Sequence, residues 1–353
     1  MKHRRLAVIA AVAAGVTLAC GALLDLPNPA LDPNIGDAAA VTDASQADAA
    51  AATDSAVAQD ASADAAPAIV AIVPDTKAWG IALDATHVFW SEPFSPRIGR
   101  ADKTGANVTT LASGTATFGT QDLATDGADI FWCSVDSVYR CSLAGCSNAP
   151  TKIGTLPNSG VYVALDATNV FVTTAASNSL WSVPKVGGDP VLVATFAAKP
   201  IAPLVVGADL VVSFEDGSIV KLPKSGGAVT ELVKAGGKPA YGMTPVGGRV
   251  YFTEFGNPAN VAFTDLSAGG SNPVALNQAV PFGITSDGAD LFWVTQGSLN
   301  VDGTVERCSL AQCTPTLIAP LRDAPKRIVT DAVAAYWTEA GNIGKGGVYK
   351  IAK

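Results

Sequence analysis

The sequence predicts an all-β protein, a seven-bladed β-propeller of four-stranded antiparallel blades. Three observations predict it: a unit recurs about every 41 residues, each unit holds four short strand-like runs, and helical periodicity is absent from these units. A unit of this size is too small to bury a core of its own. Neighbouring units must therefore pack on one another.

Each unit is anchored by an Asp or small-residue turn followed by branched or aromatic residues, as in LDATHVFW around Asp84. Successive anchors lie 42, 40, 40, 40, 41 and 44 residues apart. An Asp in such a turn satisfies backbone amides, and we prefer this interpretation to a ladder of calcium ligands. The anchors are Asp84, Asp126, Asp166, Val206, Val246, Asp287 and Asp331. A six-bladed ring is the alternative, if the unit around Val206, which matches the repeat least well, is part of a neighbouring blade.

In the first unit the predicted strands are 80–83, 87–90, 98–101 and 108–111, with turn residues between them. The last unit stops at its third strand, at 348–351, and a further apolar run stands before the first unit. We predict that this run, residues 69–73, completes the last blade, because the closed ring then leaves no open edge.

Residues 1–19 are predicted to be a lipoprotein signal peptide, with basic residues followed by an apolar run too short to span a bilayer. The run ends in Ala19-Cys20, which resembles a bacterial lipobox. The resemblance implies that Cys20 carries the lipid, including palmitate, and becomes the new N-terminus. With Gly21 after it, we expect anchoring in the cell envelope at the outer membrane. The alternative is an ordinary signal peptide with an incidental Cys.

Residues 20–67 are dominated by Ala, Asp, Ser and Thr and are predicted to form a disordered tether before a propeller at 68–353. The chain has a net charge of −8. Without three basic signal residues and eight Asp of the tether, the propeller is left at −3. It has no basic stripe, which excludes nucleic acid as a partner. We expect a monomer without cofactor or metal.

The cysteines predict two local disulfides. The motifs CSLAGC and CSLAQC occupy the same phase of two units, which indicates the pairs Cys141–Cys146 and Cys308–Cys313 in an exported chain. A zinc site is the competing idea, but its four ligands would have to converge from separate units. Cys133 is left over and is predicted to be a buried thiol.

The run YWTEAG from Tyr336 and the downstream GGVYKI resemble the YWTD repeats of LDL-receptor-type propellers. Bacterial secreted propellers of the YWTD/NHL-like kind are more similar still. The resemblance covers 68–353 and implies a propeller, although with seven units where the YWTD family has six. Members of that family bind proteins.

A binding site is predicted where the inner strands begin, five residues before each anchor. Three of these positions are large aromatic residues, which suit a protein, peptide or glycan ligand at the channel mouth. The alternative is that these side chains fill gaps between blades. The positions are Trp79, Gln121, Val161, Ile201, Tyr241, Phe282 and Lys326.

Three carboxylates, Glu92, Glu254 and Glu339, share the position eight residues after an anchor. They are rim candidates for a hydrolase or lyase acting on a polysaccharide or cell-wall component, unless backbone amides cap them.

The usual motifs of catalysis are missing. The sequence has no Gly-x-Ser-x-Gly, no His-Glu-x-x-His and no phosphate loop. Propellers of the streptogramin-lyase type use a His-containing metal site at the channel mouth, whereas His87 here falls on a predicted strand. We therefore expect a binding or scaffold protein without catalytic residues, not an enzyme, with the carboxylate-dependent hydrolase or lyase as the alternative.

Overall fold

The computed structural model describes residues 67–342, 344 and 346–353, which form seven four-stranded antiparallel sheets. Each inner strand contacts the inner strand of the next blade, and the first blade contacts the seventh, so the blades close into a ring. The predicted seven-bladed all-β propeller is confirmed, and the six-bladed alternative is wrong. One 3-10 turn, Gly114–Thr117, is the helical element of the described residues.

Blades one to six use their strands in chain order from the channel outwards, and the seventh does so for its first three strands. The strands are β1 (Val70–Pro74), β2 (Ile81–Leu83), β3 (His87–Glu92), β4 (Arg97–Asp102), β5 (Thr109–Ser113), β6 (Leu123–Thr125), β7 (Asp129–Ser134), β8 (Ser137–Ser142), β9 (Thr151–Thr155), β10 (Gly160–Leu165), β11 (Asn169–Thr174), β12 (Ser179–Pro184), β13 (Val191–Thr195), β14 (Pro200–Val206), β15 (Asp209–Phe214), β16 (Ile219–Pro223), β17 (Thr230–Val233), β18 (Ala240–Val246), β19 (Arg249–Glu254), β20 (Ala259–Asp265), β21 (Gly269–Gln278), β22 (Pro281–Ser286), β23 (Asp290–Thr295), β24 (Gly303–Ser309), β25 (Thr316–Arg322), β26 (Pro325–Thr330), β27 (Ala334–Glu339) and β28 (Gly347–Ala352).

The seventh blade is built from both ends of the propeller. Strand β1 pairs antiparallel with β28, with Val70 opposite Lys350, and so supplies the outer strand of this blade. The predicted closure is confirmed. The predicted signal peptide 1–19, Cys20 and the tether up to residue 66 lie outside the described residues.

The Asp anchors stabilise their own turn and also join neighbouring blades. Asp166 Oδ1 accepts hydrogen bonds from the backbone N–H of Thr168 at 2.9 Å and of Asn169 at 2.8 Å. Its Oδ2 accepts from Lys224 Nζ of the next blade at 2.9 Å. Burial raises the pKa of Asp166, but these hydrogen bonds outweigh it and leave the pKa at about 2. The predicted turn role is confirmed, and the lysine contact was not predicted.

We call this anchor-to-next-blade contact the latch. Four latches are ionic: Asp126–Lys185, Asp166–Lys224, Asp287–Lys353 and Asp331–Lys103. Where the anchor is Val206 or Val246, the next blade instead places Leu266 or Leu310 in the same apolar cluster. The latch is therefore either charged on both sides or apolar on both sides. Asp84 is the exception, because it binds His87 within its own turn.

Both predicted disulfides are confirmed. Cys141–Cys146 and Cys308–Cys313 have Cα–Cα distances of 5.5 and 4.8 Å. Cys133 is a buried free thiol, and burial raises its pKa. Two disulfides of this local kind indicate an exported protein.

No helix in the described part of the chain is long and apolar enough to cross a membrane.

Candidate binding site at the channel mouth

The inner strands all begin on one face of the ring, here called the upper face. Because successive strands in a blade are antiparallel, the loops between second and third strands lie on the same face, and so do the connections between blades. The predicted rim positions therefore open onto the upper face.

Five aromatic residues and one lysine come together there. We call Trp79, Phe94, Tyr241, Phe255, Phe282 and Lys326 the mouth cluster. Tyr241 and Phe282 stack with centroids 5.1 Å apart and planes 13° apart. Phe255 meets both rings edge-on, at 5.0 and 5.9 Å. Phe282 in turn packs edge-on against Trp79 at 6.5 Å, which joins blades five, six and one.

Phe94 makes the cluster accessible from solvent. Its ring lies 5.9 Å from that of Trp79 in an edge contact, and the residue is 57 % exposed. Trp79 and Phe282 themselves are buried, whereas Tyr241 and Phe255 are half-buried. A ligand would therefore contact Phe94, Tyr241 and Phe255, with Trp79 and Phe282 forming the floor.

Lys326 is held under the rings with 6 % of its surface exposed. Its Nζ lies 4.6 Å from the Trp79 centroid and donates a hydrogen bond to Gln296 Oε1 at 3.0 Å. Burial lowers the pKa of Lys326 to about 8, against the opposing effect of Asp323. The side chain can therefore be a cation or a neutral amine near neutral pH.

Buried hydroxyl groups fix the backbone of the cluster. Thr338 Oγ1 donates to the carbonyl of Trp79 at 2.6 Å, and Thr253 Oγ1 donates to that of Phe282 at 2.5 Å. Each hydroxyl also accepts from the N–H of its own inner strand, at Arg327 and Gly242. Thr338 and Thr253 each lie seven residues after the anchor of their unit. The recurrence of Ser or Thr at that position was the sequence signal that could have revealed this contact.

The other predicted rim residues lie apart from the cluster. Ile201 and Val161 belong to an apolar group around Tyr162, which touches the mouth cluster only through Tyr241. Gln121 lies at the second blade and is half-buried.

Glu92 and Glu254 are bound within their own blades, whereas Glu339 of blade seven pairs with an arginine at the end of β25 in blade six. Glu92 accepts from Arg97 Nε at 2.7 Å and from Trp90 Nε1 at 2.8 Å. Glu339 repeats this arrangement with Arg322 Nε at 2.5 Å and Trp337 Nε1 at 2.7 Å. These contacts occupy the carboxylates in structural ion pairs and do not direct them at a common substrate.

Glu254 differs from the other two glutamates in having no arginine partner among the described residues. Its Oε2 accepts from Asn260 Nδ2 at 3.0 Å, again within its own blade.

The channel behind the mouth carries its own set of residues, four before each anchor: Gly80, Asp122, Tyr162, Ala202, Gly242, Gly283 and Arg327. Glycine is needed at 242, because a Cβ there would collide with the Phe282 carbonyl of the next blade. Arg327 reaches across the channel, with Nη1 donating to the Tyr241 carbonyl at 2.6 Å. Sequence reasoning missed this layer, which lies one residue beyond the rim positions.

No protein-family model and no curated protein matches the sequence. Solved structures similar to this chain include a virginiamycin B lyase from Staphylococcus aureus, with TM-score 0.68 and 14% identity, covering 81% of this chain and 99% of that one. Hydrazine synthase of Kuenenia stuttgartiensis is similar with TM-score 0.63 and 13% identity, covering 75% of this chain and 93% of that one. A chain of a nidogen–laminin complex is similar with TM-score 0.50 and 18% identity, covering 60% of this chain and 86% of that one.

These likenesses support the predicted resemblance to YWTD-type propellers at the level of fold. The prediction that the protein is not an enzyme is wrong on this comparison, because similar structures of this fold include lyases. Identity of 14% shows the fold alone and assigns no reaction to this chain.

Proposed function

We propose that this protein is an exported propeller that binds a peptide or protein ligand on its upper face, at the mouth cluster. The observation that carries the proposal is the continuous contact of five aromatic rings around a buried lysine at the channel mouth. Aromatic anchors in a rigid setting are typical of the energetic centres of protein interfaces.

Further exposed apolar side chains lie on the upper face and favour a peptide or protein over a glycan. With Phe94 of the cluster itself, they belong to blades six, one and two: Phe118, Val135, Leu299 and Leu321. Exposed apolar surface marks interaction sites on soluble proteins. A sugar would leave most of this surface in water.

The test is a peptide and glycan array probed with the full chain. We expect selected peptides to bind, and a Phe94→Ala, Tyr241→Ala double variant to lose at least about tenfold in affinity, as for central aromatic contacts. Val333→Ala is the matched control, because Val333 is an exposed apolar residue in a hairpin on the opposite face. Unchanged peptide binding in the double variant, or binding to glycans alone, would refute the proposal.

A lyase is the second candidate, favoured by the depressed pKa of Lys326. A lysine that is partly neutral near pH 8 can remove a proton from a carbon next to a carbonyl group, the first step of an elimination. The solved lyase structures of similar fold make virginiamycin B the first substrate to try.

The measurement is mass spectrometry of virginiamycin B incubated with the chain. Elimination adds no water to the product, whereas hydrolysis does. We expect Lys326→Met to abolish product formation and wild-type activity to rise as pH increases through about 8, because the base must be neutral. Product formation that survives Lys326→Met would exclude Lys326 as the base.

We also propose that Cys20 is lipid-modified and anchors the protein at the outer membrane, which would place the propeller beside the envelope as a monomer. Metabolic labelling with a palmitate analogue tests the lipid. Label retained in Cys20→Ala, or wild-type protein found entirely outside membrane fractions, would contradict it.

A further inference from the structure

A cavity of about 310 Å³ lies in the central channel, beyond the layer of Arg327. Residues from the inner strands of all seven blades line it. Its walls include Leu165, Leu204, Met243, Ile284 and Val329, and Asp122 and Arg327 are its charged residues. Most lining residues lie one to three positions further along the inner strands than Asp122 and Arg327. The cavity therefore combines aliphatic side chains with polar surface, and both charges lie at its upper end.

Arg327 brings unused donor capacity to this chamber. Its Nη1 is bound to the Tyr241 carbonyl, and its guanidinium carbon lies 5.0 Å from the Tyr162 ring centroid. Its Nε is buried and has no hydrogen-bond partner. A guanidinium has five N–H donors, so most remain available to an acceptor in the cavity.

Asp122 brings the opposite charge. Its Oδ2 accepts from the backbone N–H of Val163 at 3.3 Å. Burial raises the pKa of Asp122, and the nearby positive charge of Arg327 opposes this. The two residues are close enough to interact electrostatically but are not joined by an ion pair. Each charge is thus left without a direct counter-charge inside the channel.

We propose that this cavity binds a free α-amino acid with an aliphatic side chain. The ligand carboxylate meets Arg327, the ammonium meets Asp122, and the side chain lies against the aliphatic walls. A simple anion would be repelled by Asp122, and a simple cation by Arg327. A zwitterion supplies both counter-charges at once. The volume equals the share of about ten water molecules, which suits a ligand of this size.

This site lies beyond the mouth cluster and shares Tyr241 with it, whereas Phe94 serves the proposed peptide site alone. Phe94 belongs to the mouth and does not line the cavity. A Phe94→Ala variant should therefore keep its amino-acid affinity even if it loses peptide binding, and the two proposals can fail independently.

The test is calorimetric titration of the full chain with a panel of common L-amino acids, using L-leucine as the reference probe. We expect one leucine bound per chain. N-acetyl-leucine lacks the ammonium and leucinamide lacks the carboxylate, so each should bind about 30-fold more weakly or not at all. This comparison needs no variant and is unaffected by folding defects.

Variants then locate the site. Asp122→Asn keeps an acceptor for the Val163 N–H and should weaken leucine binding by about 30-fold or more. Ala202→Leu should block binding by filling the cavity while leaving both charges in place. The control is Arg100→Gln, because Arg100, like Arg327, donates to a carbonyl of another blade and has a buried unpartnered Nε, but lies outside the cavity.

The outcomes separate clearly. The proposal is supported if the two leucine derivatives bind weakly to the wild-type protein, and if leucine affinity falls in Asp122→Asn but not in Arg100→Gln. If no amino acid binds, or N-acetyl-leucine binds as tightly as leucine, the zwitterion site is refuted. Leucine binding that survives both Asp122→Asn and Ala202→Leu would place it elsewhere and refute the assignment equally.

Discussion

The latch between Asp331 and Lys103 joins the last blade to the first and can be tested quantitatively. Lys103 Nζ lies 2.8 Å from Asp331 Oδ2, and the side chains are 15% and 22% exposed. Asp331 Oδ1 accepts from the N–H groups of Val333 and Ala334, both at 2.9 Å. Asp331→Asn therefore keeps the turn cap but replaces the Oδ2 acceptor of Lys103 and Tyr336 by an amide NH2 group.

The expected magnitude follows from these contacts. Burial raises the pKa of Asp331, but the bonds from Lys103, the turn amides and Tyr336 lower it from its ordinary 3.8 to about 2. A shift of that size corresponds to an upper limit of about 2.4 kcal/mol for all partners together. Because Lys103 is one of four partners and the pair is partly solvated, we expect a coupling of about 1 kcal/mol.

The assay is a double-mutant cycle of Lys103→Met and Asp331→Asn, followed by urea denaturation at neutral pH. Lys103→Met keeps the aliphatic stem of the lysine. The folded pKa is depressed, so the stabilisation is complete above about pH 4 and is lost as pH falls through about 2. A coupling below about 0.3 kcal/mol, which is the scatter of additivity, would refute the latch.

Three further outcomes follow from the buried contacts. Thr338→Val removes the bond to the Trp79 carbonyl and should lower the free energy of unfolding by about 1–3 kcal/mol in urea titrations. Glu339→Gln weakens a buried ion pair and should lower the free energy of unfolding by about 3 kcal/mol while leaving ligand binding at the mouth unchanged. Cys133 should react with a thiol reagent only in denaturant, because it is buried and its pKa is raised; labelling of the native protein would contradict its placement.

The fold was predictable because its signals are local. Strand runs and Asp turns recur in each unit, and the run at 69–73 had the length of the missing strand. The disulfides were predictable for the same reason, since each closes a turn within one motif.

The contacts between blades were not predicted, although the sequence carries a signal for them. Lys224 lies 58 residues after Asp166, in the next unit. The pairing becomes visible only when each unit is aligned with the next one along the chain. Four of the five Asp anchors then match a Lys, and Val206 and Val246 match Leu266 and Leu310. This offset follows from blade geometry, which a unit-by-unit comparison ignores.

The expectation that the chain is not an enzyme rested on missing sequence motifs, and this reasoning fails for a propeller. A motif such as Gly-x-Ser-x-Gly reports a site built on one turn. A site in a propeller channel draws single residues from blades 40 or more residues apart, as the contact between Arg327 and Tyr241 does across 86 residues. No short motif can record such a site.

The channel layer shows where functional residues should be sought in a repeat of this kind. Four residues before the anchors, three blades carry Gly and one Ala, which allow close packing of the inner strands. The remaining three carry Asp122, Tyr162 and Arg327, which ring closure does not require. Charges that depart from the repeat inside the channel cost free energy of folding when they are withdrawn from water. Their placement together, at the end of one cavity, is better explained by a ligand than by the scaffold.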